Sequence, residues 1–205
     1  METKLGHKRK FIVTLYEAMG TALFTYCILV STADAIAAAC GLFAMIVIFG
    51  DVTGGHFNPA VTLGVLVWQF FQSDPISKLL FSFLIILGQC LGALGGALIA
   101  SYALRVDGTV PKEYIPILAP QNTVETQGAS GFTEDFQAFW SQALCTFIFV
   151  SVILILKGHR TGPTRDGIHV ALTVALVLWG LITLDYHTGA CFNPAVALGQ
   201  TFFQV

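Results

Sequence analysis

The chain has 205 residues, of which 55% are apolar and only 11% charged, with a mean hydropathy of +0.76. Soluble domains carry about a quarter charged residues, so the composition points to a membrane protein and excludes an ordinary soluble enzyme before any motif is read. A net charge of −2 offers no basic face to nucleic acid, and five scattered cysteines with no Cys-x-x-Cys pattern leave no metal or cofactor framework.

In chain order, the basic stretch 1–10 comes first and is expected to be cytoplasmic. Apolar runs follow at Phe11–Ala33, Ala35–Gly50, Leu79–Ala100, Phe136–Leu156 and Ile168–Leu184. Each approaches the roughly 20 residues that cross about 30 Å of hydrocarbon. The second and fifth are short, and each runs directly into Gly-rich sequence and Asn-Pro-Ala. Pro and polar residues in the interval 105–135 predict a long extracytoplasmic connection.

A repeat organises the whole. His56-Phe57-Asn58-Pro59-Ala60-Val61-Thr62-Leu63-Gly64 returns as Cys191-Phe192-Asn193-Pro194-Ala195-Val196-Ala197-Leu198-Gly199, and Thr-Gly precedes both copies. The first repeat therefore occupies 11–104 and the second 136–205. Asn58 and Asn193 suit a helix N-cap, and Pro59 and Pro194 suit the first helical residue, where a missing N–H costs nothing. The 13 residues from Asn58 to Phe70, or from Asn193 to Val205, make about 20 Å of helix, enough to cross half a membrane. Both segments are predicted to enter the bilayer and turn back. On that reading Lys4, Lys8, Arg9, Lys10, Lys78, Lys157, Arg160 and Arg165 share one side, against Arg105 and Lys112 on the other. This places the amino terminus in the cytoplasm.

With three spans in the first half, the two halves lie in opposite senses, as in the inverted repeats of many transport proteins. The counterpart of the span that begins at Leu79 would start beyond Val205, so the sequence reads as part of a longer chain with a sixth span. Two helix N-termini meeting at the midplane would each carry about half a positive charge, a barrier to cations and protons. The asparagine amides would meet neutral solutes there.

These motifs resemble the major intrinsic protein family, the aquaporins and aquaglyceroporins. The resemblance runs from Phe11 to Gly199 and includes Glu17-x-x-Gly20-Thr21, the two Asn-Pro-Ala strings and Gln89-x-x-Gly92-Ala93. It implies an all-α membrane protein with an aquaporin-like inverted repeat, two re-entrant half-helices, one pore per subunit and a homotetramer. The function it implies is a passive channel for water and small neutral solutes, glycerol among them, with no catalytic site. The alternative is a non-conducting structural subunit of the same fold.

Pore residues expected from the resemblance are Asn58, Pro59, Ala60, Asn193, Pro194 and Ala195. The outer constriction falls, by counting from the motifs, on Ala38, Leu181, Ala190 and Val196. Val196 stands where the family usually has Arg, so this ring reads as wider and more apolar than in water-selective members. Glu17 lies inside a span, and the resemblance implies that it supports a re-entrant loop, with His56 as a candidate partner and Gln142 as its equivalent in the second half. Gly88, Gly92 and Gly96 suit close helix packing.

Overall fold

The computed structural model describes residues 2–70, 75–105, 131–158 and 161–203. Among the described residues seven α-helices follow one another: α1 (Glu2–Val30), α2 (Ala35–Thr53), α3 (Pro59–Phe70), α4 (Pro75–Leu104), α5 (Gly131–Lys157), α6 (Gly167–Leu184) and α7 (Pro194–Phe203), with a short 3-10 turn at Tyr186–Thr188 between the last two. Among the described residues five helices are long and apolar enough to cross a membrane, and α3 and α7 are about half that length. Large apolar side chains such as Leu80, Phe83, Leu91 and Phe147 are exposed on their outer faces, the arrangement a lipid solvent requires.

The helices outrun the apolar stretches that announced them. α1 begins at Glu2 rather than Phe11, and α4 at Pro75 rather than Leu79. α5 begins at Gly131, so five residues assigned to the connection are helical. Hydropathy marks what lipid touches, whereas backbone hydrogen bonding continues a helix past that limit wherever the residues allow it. Most of the connection itself, 106–130, lies outside the described residues.

Local chemistry sets the other ends. Asp34 caps α2, its Oδ1 accepting from Ala37 N at 2.8 Å. Gly54 closes α2 in the left-handed conformation at φ 92°, its N–H returning to Gly50 O. Asp166 caps α6 by accepting from Ile168 N and His169 N. The His169 backbone and side chain, with Ile168 N–H, hold its carboxyl below the usual value.

α1 and α4 lie against each other along a seam of small residues. A Cβ added at Gly92 would overlap the Ala18 carbonyl, and one at Gly96 the Ala22 carbonyl, while at Gly88 it would stand 2.9 Å from Thr14 Cγ2. Three glycines four apart thus receive three small residues four apart, which lets the two backbones touch. The half-helices wedge into this frame. Gly64 of α3 sits against Val150 of α5, and Gly199 of α7 against Thr25 of α1 and the Ala93 carbonyl of α4. Where they converge, Phe24, Phe49, Phe57, Phe149, Phe192 and Val196 form one buried cluster with residues of α2 and α6.

Candidate functional site

The two Asn-Pro-Ala strings adopt related turns. Gly54 (φ 92°) and Gly189 (φ 85°) occupy the same position, as do Gly55 (φ 62°) and Ala190 (φ 47°). Phe57 is also left-handed (φ 46°). Alanine in that region is strained, so the second turn holds by its packing what glycine gives the first without cost. Each asparagine then opens a helix. Asn58 Oδ1 accepts from Ala60 N at 2.8 Å, and Asn193 Oδ1 from Ala195 N at 3.1 Å and Val196 N at 3.4 Å. Their backbone carbonyls take the first intrahelical bonds, from Thr62 N and Ala197 N.

The two turns are cross-linked by the same side chains. Asn58 Nδ2 donates to Phe192 O at 3.0 Å, and Asn193 Nδ2 donates to Phe57 O at 2.7 Å. Each carboxamide has its oxygen committed to its own helix and one N–H committed to the opposite turn. A second N–H remains on each. The N-termini of α3 and α7 meet at this point, and their aligned peptide dipoles add positive potential there.

Both asparagines border a cavity in which about 60 Å³ is open to the centres of water-sized molecules. A water needs roughly 10–15 Å³ by that measure, so the cavity has room for a few of them. The wall is mostly apolar, with Phe24, Ile28, Leu42, Phe149 and Leu178 contributing, and the polar points are His56, Asn58, Asn193 and Gln200. Of the four residues counted onto the constriction, Ala38, Ala190 and Val196 line this cavity. Leu181 does not. It packs in the buried cluster, and its neighbour Ile182 takes the place on the wall. Ile182 follows Leu178 by one helical turn and shares its face.

Behind the first turn lies a buried polar network. Glu17 is fully buried. Its Oε1 accepts from His56 N at 3.0 Å, and its Oε2 from Phe57 N at 2.7 Å and Gln89 Nε2 at 2.8 Å. Gln89 also donates to Thr62 Oγ1 at 3.0 Å, and Thr62 Oγ1 donates to Asn58 O at 3.1 Å. His56 therefore meets Glu17 through its main chain, while its ring Nδ1 lies 3.2 Å from Thr62 Oγ1. Gly20, one turn along α1, leaves the space that the Phe57 ring fills.

The second turn is held differently. Gln142 Nε2 donates to Thr188 O at 2.9 Å. The carboxyl comes from Asp185, 1% exposed, which accepts from Ser141 Oγ and from Thr188 Oγ1, the latter at 2.7 Å. Asp185, Ser141, Thr62 and Gln89 carry no such role in the sequence reading. The one signal for Asp185 is an acid directly after an apolar run, and Gln89 appears only as part of a motif. At the end of α5, Lys157 Nζ donates to the Gly54 carbonyl and ties the first turn to that helix. Among the described residues no group of His, Cys, Asp and Glu side chains is arranged to hold a metal ion.

A family model described as Major intrinsic protein matches residues 8–205. Aquaporin-6 of Laccaria bicolor is 31% identical over 152 residues, covering 74% of this chain and 47% of its own length. Glycerol uptake facilitator protein-like 6 of Lactiplantibacillus plantarum is 28% identical over 156 residues, covering 76% and 63% respectively. The chain thus spans about half the length of the first of these relatives. Among solved structures, the aquaglyceroporin from Plasmodium falciparum superposes with a TM-score of 0.72 over 96% of this chain and 80% of that one, at 20% identity. That likeness establishes the fold.

Proposed function

The chain belongs to the major intrinsic protein family, with five helices of spanning length that make it an integral multi-pass membrane protein, and from that premise we propose that it works as a passive channel. The cargo is water and small neutral solutes such as glycerol, and ions are turned back where the two half-helices meet. Relatives named as an aquaporin and as a glycerol uptake facilitator support this range. We place the amino terminus in the cytoplasm and the working assembly as a homotetramer in the bilayer.

One observation carries the reading: the crossed asparagines Asn58 and Asn193, each bonded to the opposite turn and each bordering the cavity. Their remaining N–H groups would face a passing solute with two donors and no acceptor. A water accepting both is oriented so that it cannot pass a proton forward. The paired helix ends add a field that opposes cations. The ring of Ala38, Ile182, Ala190 and Val196 beside them holds no charge. It can accept the carbon face of a polyol while the asparagines serve its hydroxyls.

Proteoliposomes containing the protein are expected to shrink faster than empty vesicles after an osmotic step in stopped-flow light scattering. Equal rates from a folded preparation would transfer support to the non-conducting structural subunit.

A further inference from the structure

Gln200 stands four residues beyond Val196 on α7, one turn along and on the same face. It belongs to the cavity wall and is 4% exposed. Its Oε1 has no hydrogen-bond partner. A buried carboxamide oxygen nearly always has one, and the wall to which Gln200 belongs is mostly apolar, Phe24 and Ile28 included. Next to Phe24, the fully buried Thr25 also leaves its Oγ1 without a partner, and α7 packs on Thr25 at Gly199, the residue before Gln200. An unpartnered carboxamide oxygen in the wall of an apolar cavity is the mark of a site that something passing through it satisfies. The last torsion of a glutamine side chain is broad, so either end of the carboxamide can turn to the cavity.

Resting on the channel reading, we propose that Gln200 is a specificity-determining residue: its carboxamide hydrogen-bonds the hydroxyl or amide of a small neutral solute as that solute passes the ring of Ala38, Ile182, Ala190 and Val196. Water needs little help there, because it keeps neighbouring waters before and behind it in file. A polyol or urea-like solute fills the section, sheds its waters and depends on the wall for replacement. Asn58 and Asn193 turn N–H donors to the solute, while the oxygen of each accepts from its own helix. Gln200 adds an acceptor as well as donors.

The test is paired stopped-flow measurement of water and glycerol flux in proteoliposomes of wild type and Gln200→Met, which keeps length and shape without the amide. Loss of one hydrogen bond in the wall is expected to lower glycerol flux roughly three- to tenfold relative to water. An unchanged ratio in a wild type that carries both overturns the role of Gln200 and leaves the channel standing. So does a wild type that carries water but excludes glycerol. A wild type no faster than empty vesicles for either removes the channel reading and this one with it. If Gln200→Met loses both fluxes, Gln200→Asn decides. Recovery of glycerol flux with the restored amide upholds the proposal, and continued loss assigns Gln200 to packing alone and overturns it.

Discussion

Glu17→Ala removes the acceptor on which the first turn rests. Three donors converge on that carboxyl, His56 N, Phe57 N and Gln89 Nε2, at 2.7 to 3.0 Å. A buried donor left without an acceptor costs about 1–3 kcal/mol. Gln89 keeps a second bond, to Thr62 Oγ1, so the two backbone donors dominate and the expected loss is about 4 kcal/mol. Against a typical stability of about 5–15 kcal/mol, that is enough to release the turn and carry Asn58 away from Phe192. Glu17→Gln keeps the shape and one strong acceptor but turns an N–H₂ toward a donor, and it should cost about 1–3 kcal/mol. Gln142→Ala in the second half removes one bond, to Thr188 O, while Asp185 still holds the turn. It should cost about 1 kcal/mol. Thermal midpoints in detergent and water flux per folded protein are expected to rank wild type, Gln142→Ala, Glu17→Gln and Glu17→Ala in falling order. A Glu17→Ala protein that melts and conducts like wild type would refute the claim that this carboxyl holds the turn.

Gly92→Ala forces a methyl into the Ala18 carbonyl and should destabilise by about 1–3 kcal/mol; Gly95→Ala, with open space around it, should not, and equal effects would sink the seam argument. Asn193→Asp places an anion where two positive helix ends meet, and planar-bilayer recording should register a larger cation leak than wild type. Cys191 borders the cavity, so a mercurial should block water flux in wild type and leave Cys191→Ser unaffected. Val196→Arg sets a fixed cation and several donors into the ring and should suppress glycerol flux more than water flux; equal suppression would mean that position 196 does not set the size limit.

How far the sequence could be read depends on the range of the interaction concerned. Asn58-Pro59 and Asn193-Pro194 announce their half-helices because a cap and its first residue are neighbours in the chain, and the structure begins α3 and α7 at those prolines. The Gly88, Gly92 and Gly96 stripe is equally local, since a period of four on one helix is visible without its partner. Gln89 is not legible in this way. It lies 72 residues from Glu17, and only the tertiary packing of α4 on α1 brings the two together. Asp185 fails for another reason: an acid after an apolar run ordinarily marks where a span meets water. Here α6 gives way to a 3-10 turn, and the side chain is buried against Ser141 and Thr188.

The two halves reach matching geometry by unlike means. The first turn hangs from a distant carboxyl on α1 that is reinforced from α4 by Gln89, so the position of Asn58 depends on the glycine seam that joins those helices. The second is held by its own upstream acid, Asp185, with Ser141 and Gln142 tying it to α5. Symmetry is kept in the two asparagines, whose oxygens cap their own helices and whose amides cross to the opposite turn. It is dropped in the supports behind them. Ala38, Ile182, Ala190 and Val196, the proposed ring, line the cavity without a fixed charge among them. In the proposed channel the exclusion of ions therefore falls on the field of the two helix ends, while the choice among neutral solutes falls on the width of that ring and the amide of Gln200.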